Sequence, residues 1–453
     1  MPLAKPRHLG SPYASHVNPQ WVRLLDVLGM NAEYARCEGS ELETAGGTTV
    51  LDFNAGYCVH DAGHNHPRII EALKEELDRH GPAMLQGHVP ALAGELAARL
   101  CALAGGRVTK AFFASSGSEG VEAVIKFARA HTRRAGILYA SGAFHGLTCG
   151  ALSLMDNPFW SDGFGPLLPE TKAVPFGDFD VLARELATRR HAALVLEPIQ
   201  AEAGVVVPDV RYFKQAQALC RHYGTLLVLD EVQTGLYRTG RFLASQHFGL
   251  EPDMVVLAKA LSGGLVPVGA VLLSDEVYDS VYTSFKRAIV HTSTFGENAL
   301  AMRAGLATLD VLEKEKLGER ATRVGEELRR EIRARLSRYP MFAAVRGLGL
   351  LNGVEFRRPT ELRLRLLFDA FHRIHPAMFG QILVMHLFRD QRIFSQICGN
   401  HFMVLKMSPA LNVPDRHVAR FLDALEATVD LMHGSTRFWS EALSMAARVL
   451  HGV

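Results

Sequence analysis

The chain has 453 residues, 48% of them hydrophobic and 21% charged, with a formal net charge of +2. This is the balance of an ordinary globular protein, and near-neutrality gives no electrostatic reason to expect nucleic acid or an anionic membrane as partner. No run of about eighteen uncharged apolar residues exists to span a bilayer, and the length suits a large domain with a smaller one.

In chain order, the polar stretch Met1 to Gln20 lacks the apolar centre of a secretory signal, so a cytoplasmic location is expected. Trp21 to Leu28 is amphipathic. Glu38 to Thr49 turns at Gly46-Gly47 and leads into a strand, Val50 to Phe53. His64-Asn65-His66 reads as a turn before a helix from Arg68 to His80, not as a metal site. A second helix is expected from Pro90 to Ala104.

From Lys110 strands and helices alternate, the pattern of a parallel sheet covered by helices. Strands are expected at Ala111–Ala114, Ile137–Ala140 and Ala192–Leu196, the last ending in Glu197. Helices are expected at Ser118–His131 and Arg211–Tyr223. Val268–Leu273 is expected to close an edge of the sheet. Long helices follow at Asn298–Lys314 and Leu317–Arg338. Met341–Phe356 reads as strand, turn, strand, with the turn at Arg346-Gly347-Leu348-Gly349. The apolar stretch from Glu361 to Asn400 reads as a buried helix, too short to cross a bilayer; the sharper reading makes it a wall or lid for a long apolar substrate, with peripheral membrane contact. The six cysteines (Cys37, Cys58, Cys101, Cys149, Cys220, Cys398) show no C-x-x-C pattern and read as reduced thiols.

Two short apolar runs carry the chemistry. Leu226-Leu227-Val228-Leu229 ends in Asp230-Glu231, and Met254-Val255-Val256-Leu257-Ala258 ends in Lys259. Such runs read as buried parallel strands delivering side chains at their carboxyl ends, the rim where open α/β sheets bind ligands. A lysine and a carboxylate at one rim suit pyridoxal phosphate (PLP): the lysine makes the Schiff base and the acid keeps the pyridine nitrogen protonated. Ser115-Ser116-Gly117-Ser118-Glu119 contains the S-x-x-E capping box of a helix start. It serves equally as a plain cap or as a seat for a dianionic phosphate, with Gly117 allowing close approach. Phe144-His145-Gly146 after the Ile137 strand offers an aromatic face to a heteroaromatic ring. No G-x-x-x-x-G-K-[ST] sequence occurs, which excludes a nucleotide P-loop.

With these pieces in order, the chain resembles a class III, fold type I PLP-dependent aminotransferase of the ornithine, acetylornithine and omega-aminotransferase branch. The likeness runs through Leu196-Glu197-Pro198-Ile199-Gln200-Ala201-Glu202 to Pro208, Asp230-Glu231-Val232-Gln233-Thr234-Gly235, Ala258-Lys259-Ala260-Leu261-Ser262-Gly263-Gly264 and Ser293-Thr294-Phe295-Gly296. It implies an α/β fold with a large domain at 56–335 and a small domain from residues 1–55 and 336–453. It also implies that Lys259 forms the Schiff base and shuttles the proton, and that Asp230 pairs with the ring nitrogen. Val232 and Phe144 would flank the ring, Gln233 would meet its hydroxyl, and Ser116, Gly117 and Ser118 would hold the phosphate. His145 and Glu197 complete the cofactor set, and Thr294 would arrive from the second subunit of a homodimer. The reaction implied exchanges an amino group between a primary amine or its aldehyde and a 2-oxo acid such as 2-oxoglutarate.

The sequence departs from that branch in places. The arginine that pairs with the glutamate at position 202 is replaced by Lys406, a point charge instead of a planar fork. Tyr57 matches a pocket tyrosine, whereas Ser40 to Thr44 lacks the second one, which argues against ornithine itself. The stretch from 361 to 400 is similar to tails of aminotransferases that aminate hydrophobic aldehydes of prodiginine or hopanoid type. The same cofactor residues would also serve an aminomutase, racemase or decarboxylase. Retention of both Lys259 and Asp230 argues against a non-catalytic binding protein.

Overall fold

The computed structural model describes residues 11–435 and 438–441. The first half of the polar Met1 to Gln20 stretch, and the last residues assigned to the small domain, lie outside them. The centre is a seven-stranded sheet in the order Val108–Ala114, Gly269–Ser274, Met254–Leu257, Leu226–Asp230, His191–Leu196, Gly136–Ala140, Thr171–Val174. The last five of these run parallel to one another, and Gly269–Ser274 is antiparallel to both of its neighbours. Register places Val228 opposite Met254 and Asp230 opposite Val256, so Asp230 and the residue run into Lys259 leave the sheet at the same edge.

Both faces of this sheet are covered, which explains why the central strands are apolar on both faces along most of their length. Val228, Val195 and Val256 pack on one side beneath the helix Gly117–Thr132, with its Val121, Val124 and Phe127. Leu227, Leu229, Leu194 and Leu196 point to the other side, against Tyr212, Phe213 and Ala216 of the helix Val210–Tyr223. That alternation is the two-residue period of a strand. Gly224, in the left-handed conformation at φ 64°, stops the second helix and turns the chain into the Asp230 strand.

Three expectations are corrected. The strand after the lysine does not close an edge. It lies between Val108–Ala114 and Met254–Leu257, and all six of its residues are buried. The edges are Val108–Ala114 and the short Thr171–Val174, whose mixed, half-exposed sequence gives little signal. The turn of the late hairpin falls at Gly349-Leu350, because Arg346 pairs with Gly353 and Gly347 with Asn352 inside the ladder. Gly349 has φ 55°, and a Cβ there would lie 2.5 Å from the Arg238 carbonyl oxygen, so only glycine fits. Finally, the stretch from 361 to 400 holds two helices, Leu362–Ile374 and Met378–Arg389, with Pro376 in the break between them. The second is buried through Ile382, Leu383, Leu387 and Phe388, as the core-helix reading expects, whereas Leu362 and Leu366 on the first are exposed.

Segments from the two sides of the central sheet domain in sequence pair with each other. Ile393-Phe394 pairs in parallel with Leu51-Asp52, completing a sheet with Tyr34–Glu38 and Glu41–Thr44. Phe342–Leu348, Leu351–Phe356, Val404–Met407 and Gln396–Ile397 form a third sheet. All six cysteines are free thiols. Among the described residues no helix is long and apolar enough to cross a membrane, and no three His, Cys, Asp or Glu side chains are grouped to hold a metal. His64 instead hydrogen-bonds Asp52 at 2.8 Å.

Candidate active site

A cavity of about 560 Å³ opens where the Leu226–Asp230 and Met254–Leu257 strands end. Its wall includes Ser116, Gly117, Ser118, Phe144, His145, Glu197, Asp230, Val232, Gln233 and Lys259. Ten of the residues singled out in the sequence therefore face one space, though they come from five separate segments. Thr294 does not line it; that residue is exposed on a loop of the same chain.

Lys259 comes one residue after its strand, past Ala258, and takes a positive φ of 48°, an uncommon conformation for a side chain of its size. Burial disfavours its ammonium form and lowers its pKa from the ordinary lysine value. Asp230, 4% exposed, has both oxygens engaged on the protein side. Oδ1 accepts from the Val232 N–H at 3.1 Å, and Oδ2 meets Nδ1 of His145 at 2.8 Å. Burial pushes the His145 pKa down, but the bond to Asp230 and the charges of Asp230 and Glu197 outweigh it, and the net shift is upward. His145 thus fixes one oxygen of Asp230, whose carboxylate lines the cavity beside it with lone-pair capacity to spare.

At the other end lies the start of the 16-residue helix Gly117–Thr132. Ser116 Oγ accepts from the Glu119 N–H at 3.2 Å, while the Glu119 carboxylate accepts from the Ser115 N–H at 2.5 Å. The expected box is present, with its return bond shifted one residue back. The first N–H groups of a helix have no partner within it, so this end, with the positive pole of the helix, is suited to an anion. Gly117 is required there, because a Cβ would come within 2.9 Å of Val232 Cγ2. The aromatic loop is fixed by Glu197, whose Oε1 accepts from the Phe144 N–H at 3.0 Å and Oε2 from the Ala201 N–H at 3.2 Å.

Tyr57, Glu202 and Lys406 do not line the cavity but form one cluster joined to it through Gln233. Lys406 is fully buried and ion-paired with Glu202. The Glu202 carboxylate also accepts from Gln233 Nε2 at 3.3 Å and from the Gly399 N–H at 2.8 Å. Burial raises the Glu202 pKa, but Lys406 more than compensates and the net shift is downward; Lys406 moves up for the reciprocal reason. Lys406 Nζ lies 4.9 Å from the centre of the Tyr57 ring, a cation–π contact, and Tyr57 is held by Gln396 Nε2 at 3.1 Å. Among the described residues none of the 361–400 stretch lines the cavity, but Gln396, Gly399 and Asn400 reach this neighbouring cluster.

Sequence reasoning missed the Asp230–His145 bond, the apolar wall of Val59, Leu265, Val266 and Val268, and Trp160, whose ring meets Phe144 edge-on at 5.3 Å. The segment after Lys259 could have been found, since the loop that follows a strand-end residue borders whatever space that residue faces. Trp160 carried no local signal.

Comparison with known proteins places this geometry. Residues 26–429 match the family model for aminotransferase class III. The chain is 34% identical over 449 residues to the aminotransferase PigE of a Serratia species, covering 92% of this chain and 53% of that protein, so it spans about half the relative's length. It is 38% identical over 362 residues to a putrescine aminotransferase of Pectobacterium atrosepticum, covering 77% and 76% of the two chains. Among solved structures, an (S)-enantioselective omega-transaminase from Thermomicrobium roseum superposes with a TM-score of 0.82 at 29% identity, covering 93% of this chain and 97% of that one. By the family match, the superposition and a cavity walled by a lysine, a carboxylate and a helix start, this chain belongs to the class-III aminotransferases, fold type I enzymes that depend on pyridoxal phosphate.

Proposed function

We propose that this chain is a transaminase that moves an amino group between a primary, terminal amine or its aldehyde and a 2-oxo acid such as 2-oxoglutarate. The observation that carries the reading is the convergence of Lys259 and Asp230 on one cavity that also holds a helix start and an aromatic loop. When bound, PLP supplies an electron sink for the substrate's α-carbon. The residues present fit it. The Ser116-Gly117-Ser118 helix start suits its dianionic phosphate, Val232 and Phe144 its two faces, Gln233 its hydroxyl, and Asp230 its ring nitrogen.

Lys259 is the nucleophile, and desolvation favours its neutral amine. With the cofactor bound, the same nitrogen, freed by the incoming amine, would take a proton from the substrate carbon as general base and, as general acid, deliver it to the cofactor side instead of back to that carbon. Asp230 would pair with the ring nitrogen, and its bond to His145 fixes the carboxylate. Glu197 holds the backbone of the Phe144 loop in place.

The substrate class is read from charge. Lys259 is the sole Lys or Arg among the described residues lining the cavity, and Lys406 is neutralised by Glu202. An amine without an α-carboxylate is therefore the better fit as donor, in line with the diamine named for one relative. Release of Lys406 from Glu202 would then admit the oxo acid's carboxylate. Val59, Leu265, Val266 and Val268 favour an apolar carbon chain on that donor.

We further take residues 1–55 and 336–453 as one small domain, joined by the Leu51-Asp52 and Ile393-Phe394 pairing. The working unit is a homodimer that receives Thr294 in trans. Support comes from a second groove of about 770 Å³, lined by Leu85 and Ile289 and flanked in sequence by exposed Val89, Phe285 and Phe295. So much bare apolar surface suits burial by a second copy. The free thiols suit a reducing, cytoplasmic setting.

The deciding experiment is a panel of amine donors with 2-oxoglutarate, read by glutamate formation. A transaminase stalls after one half-turnover when the oxo acid is withheld. Continued turnover without it would point instead to an aminomutase, racemase or decarboxylase.

A further inference from the structure

The loop that carries Phe144 and His145 is pinned by four side chains. Gln200 Nε2 donates to the Ser141 carbonyl at 3.0 Å, Asp156 accepts from the Gly142 N–H at 2.9 Å, and Glu197 accepts from the Phe144 N–H at 3.0 Å. The fourth, Asn400, comes from the far end of the chain, in the loop between the Gln396–Ile397 and Val404–Met407 strands.

Every valence of the Asn400 amide is used. Nδ2 donates to the Gly142 carbonyl at 2.9 Å and to that of Ala143 at 3.4 Å. Oδ1 accepts from Asn157 Nδ2 and from Trp160 Nε1, both at 2.9 Å. Two donors and two lone pairs exhaust what a primary amide can offer. The Asn400 backbone N–H meets the Glu202 carbonyl at 2.9 Å, and the preceding Gly399 N–H meets the Glu202 carboxylate. A Cβ on Gly399 would lie 3.2 Å from Glu202 Oε2 and 3.3 Å from Trp160 Cζ2, so the loop is closely fitted on both sides. Trp160 in turn packs edge-on against Phe144.

We propose that Asn400 is a positioning residue for the cofactor: by holding both the backbone ahead of Phe144 and the indole behind its ring, it sets the angle of the Phe144 face and ties it to the Glu202–Lys406 cluster. This rests on the assignment of the cavity to PLP. The chain's own geometry gives the reason. The backbone before Phe144 is fixed at its N–H groups and at one carbonyl by residues of the sheet domain, but the Gly142 and Ala143 carbonyls are held by Asn400. Movement of the 398–402 loop, to which Glu202 is bonded, is thereby transmitted to the aromatic wall.

The test is Asn400→Asp in the full-length protein. The substitution keeps the oxygen that accepts from Asn157 and Trp160, but sets a second oxygen against two carbonyls. The dissociation constant for PLP, measured by titrating resolved protein, should rise by roughly tenfold or more. The visible circular dichroism of the bound cofactor should change in sign or lose most of its amplitude, because it reports the tilt of the ring in its chiral site. The melting temperature of the cofactor-free protein should fall as well, since two bonds are lost and an oxygen is left opposed to two carbonyls; the cofactor changes that accompany the fall carry the test. An unchanged dissociation constant and dichroism band would overturn the proposal, as would a loss confined to the stability of the cofactor-free form. If Asn400→Asp does not fold, Trp160→Phe replaces it: it removes one bond to Asn400 and keeps the ring packing. A smaller rise, about threefold, with the same spectral change is then expected, and no change overturns the proposal. Failure of the wild type itself to bind PLP is the separate result that would remove the cofactor assignment.

Discussion

Replacement of Asp230 by asparagine tests the electrostatic half of the proposed mechanism with little structural disturbance. The side chain is 4% exposed, and its Oδ1 accepts the Val232 N–H at 3.1 Å. An amide of the same shape keeps that bond, and its NH2 group can face His145 Nδ1 once the imidazole is neutral. The folding cost should therefore stay within about 1–2 kcal/mol, and PLP, gripped mainly through its phosphate, should remain bound. What disappears is the negative charge facing the ring nitrogen. A hydrogen bond to a charged group is worth about 1.5–3 kcal/mol, and this one matters most when charge flows onto the ring. A loss of about 3 kcal/mol at the transition state corresponds to roughly a 10²-fold fall in kcat. The assay is glutamate formation from 2-oxoglutarate and the best donor, alongside the cofactor content of the same preparation. A fully loaded variant with kcat within about threefold of wild type would remove Asp230 from its role.

Four further outcomes are expected. Lys259→Ala should abolish both turnover and the visible absorbance of the lysine-bound cofactor, and retention of either contradicts the assignment. Lys406→Met strands a buried Glu202 charge and should cost about 3–5 kcal/mol of stability, most of it recovered in the double variant with Glu202→Gln; equal losses in both would show that the ion pair is not the cause. The pair also sets a pH dependence. With the Glu202 pKa below its ordinary 4.5, its contribution is fully present above pH 4.5 and fades as pH falls through the lowered value. With Lys406 above its ordinary 10.5, its share is full below pH 10.5 and fades only at higher pH. The stability gap between wild type and double variant, from urea midpoints, should thus be level between these limits, and a slope near neutrality would count against the pairing. Finally, kcat/KM should rise with chain length among aliphatic primary amines, up to about fourfold per methylene at ~0.8 kcal/mol each; a flat or falling profile rejects the apolar wall.

Much of the site was legible because its parts are local. An apolar run that ends in a charge, as at Asp230 and Lys259, has few folded destinations besides a buried parallel strand with its tip at the rim. Ser116 and Glu119 announce a helix start within four residues. The family motifs added roles for Val232, Gln233 and Phe144 that no periodicity could supply. What remained hidden was choice of partner. Nothing in the six residues of Gly269–Ser274 says that they insert between two strands instead of closing an edge, since that is decided by which faces the helices leave open. Lys406 and Glu202 lie 204 positions apart and meet only because two sheets bring them together. Asn400 is one polar residue in a loop until its four bonds to distant segments are seen. Local pattern dictates what each segment becomes, because it depends on neighbours three or four residues away. Burial and hydrogen-bond saturation, which only the assembled chain can satisfy, decide what it touches.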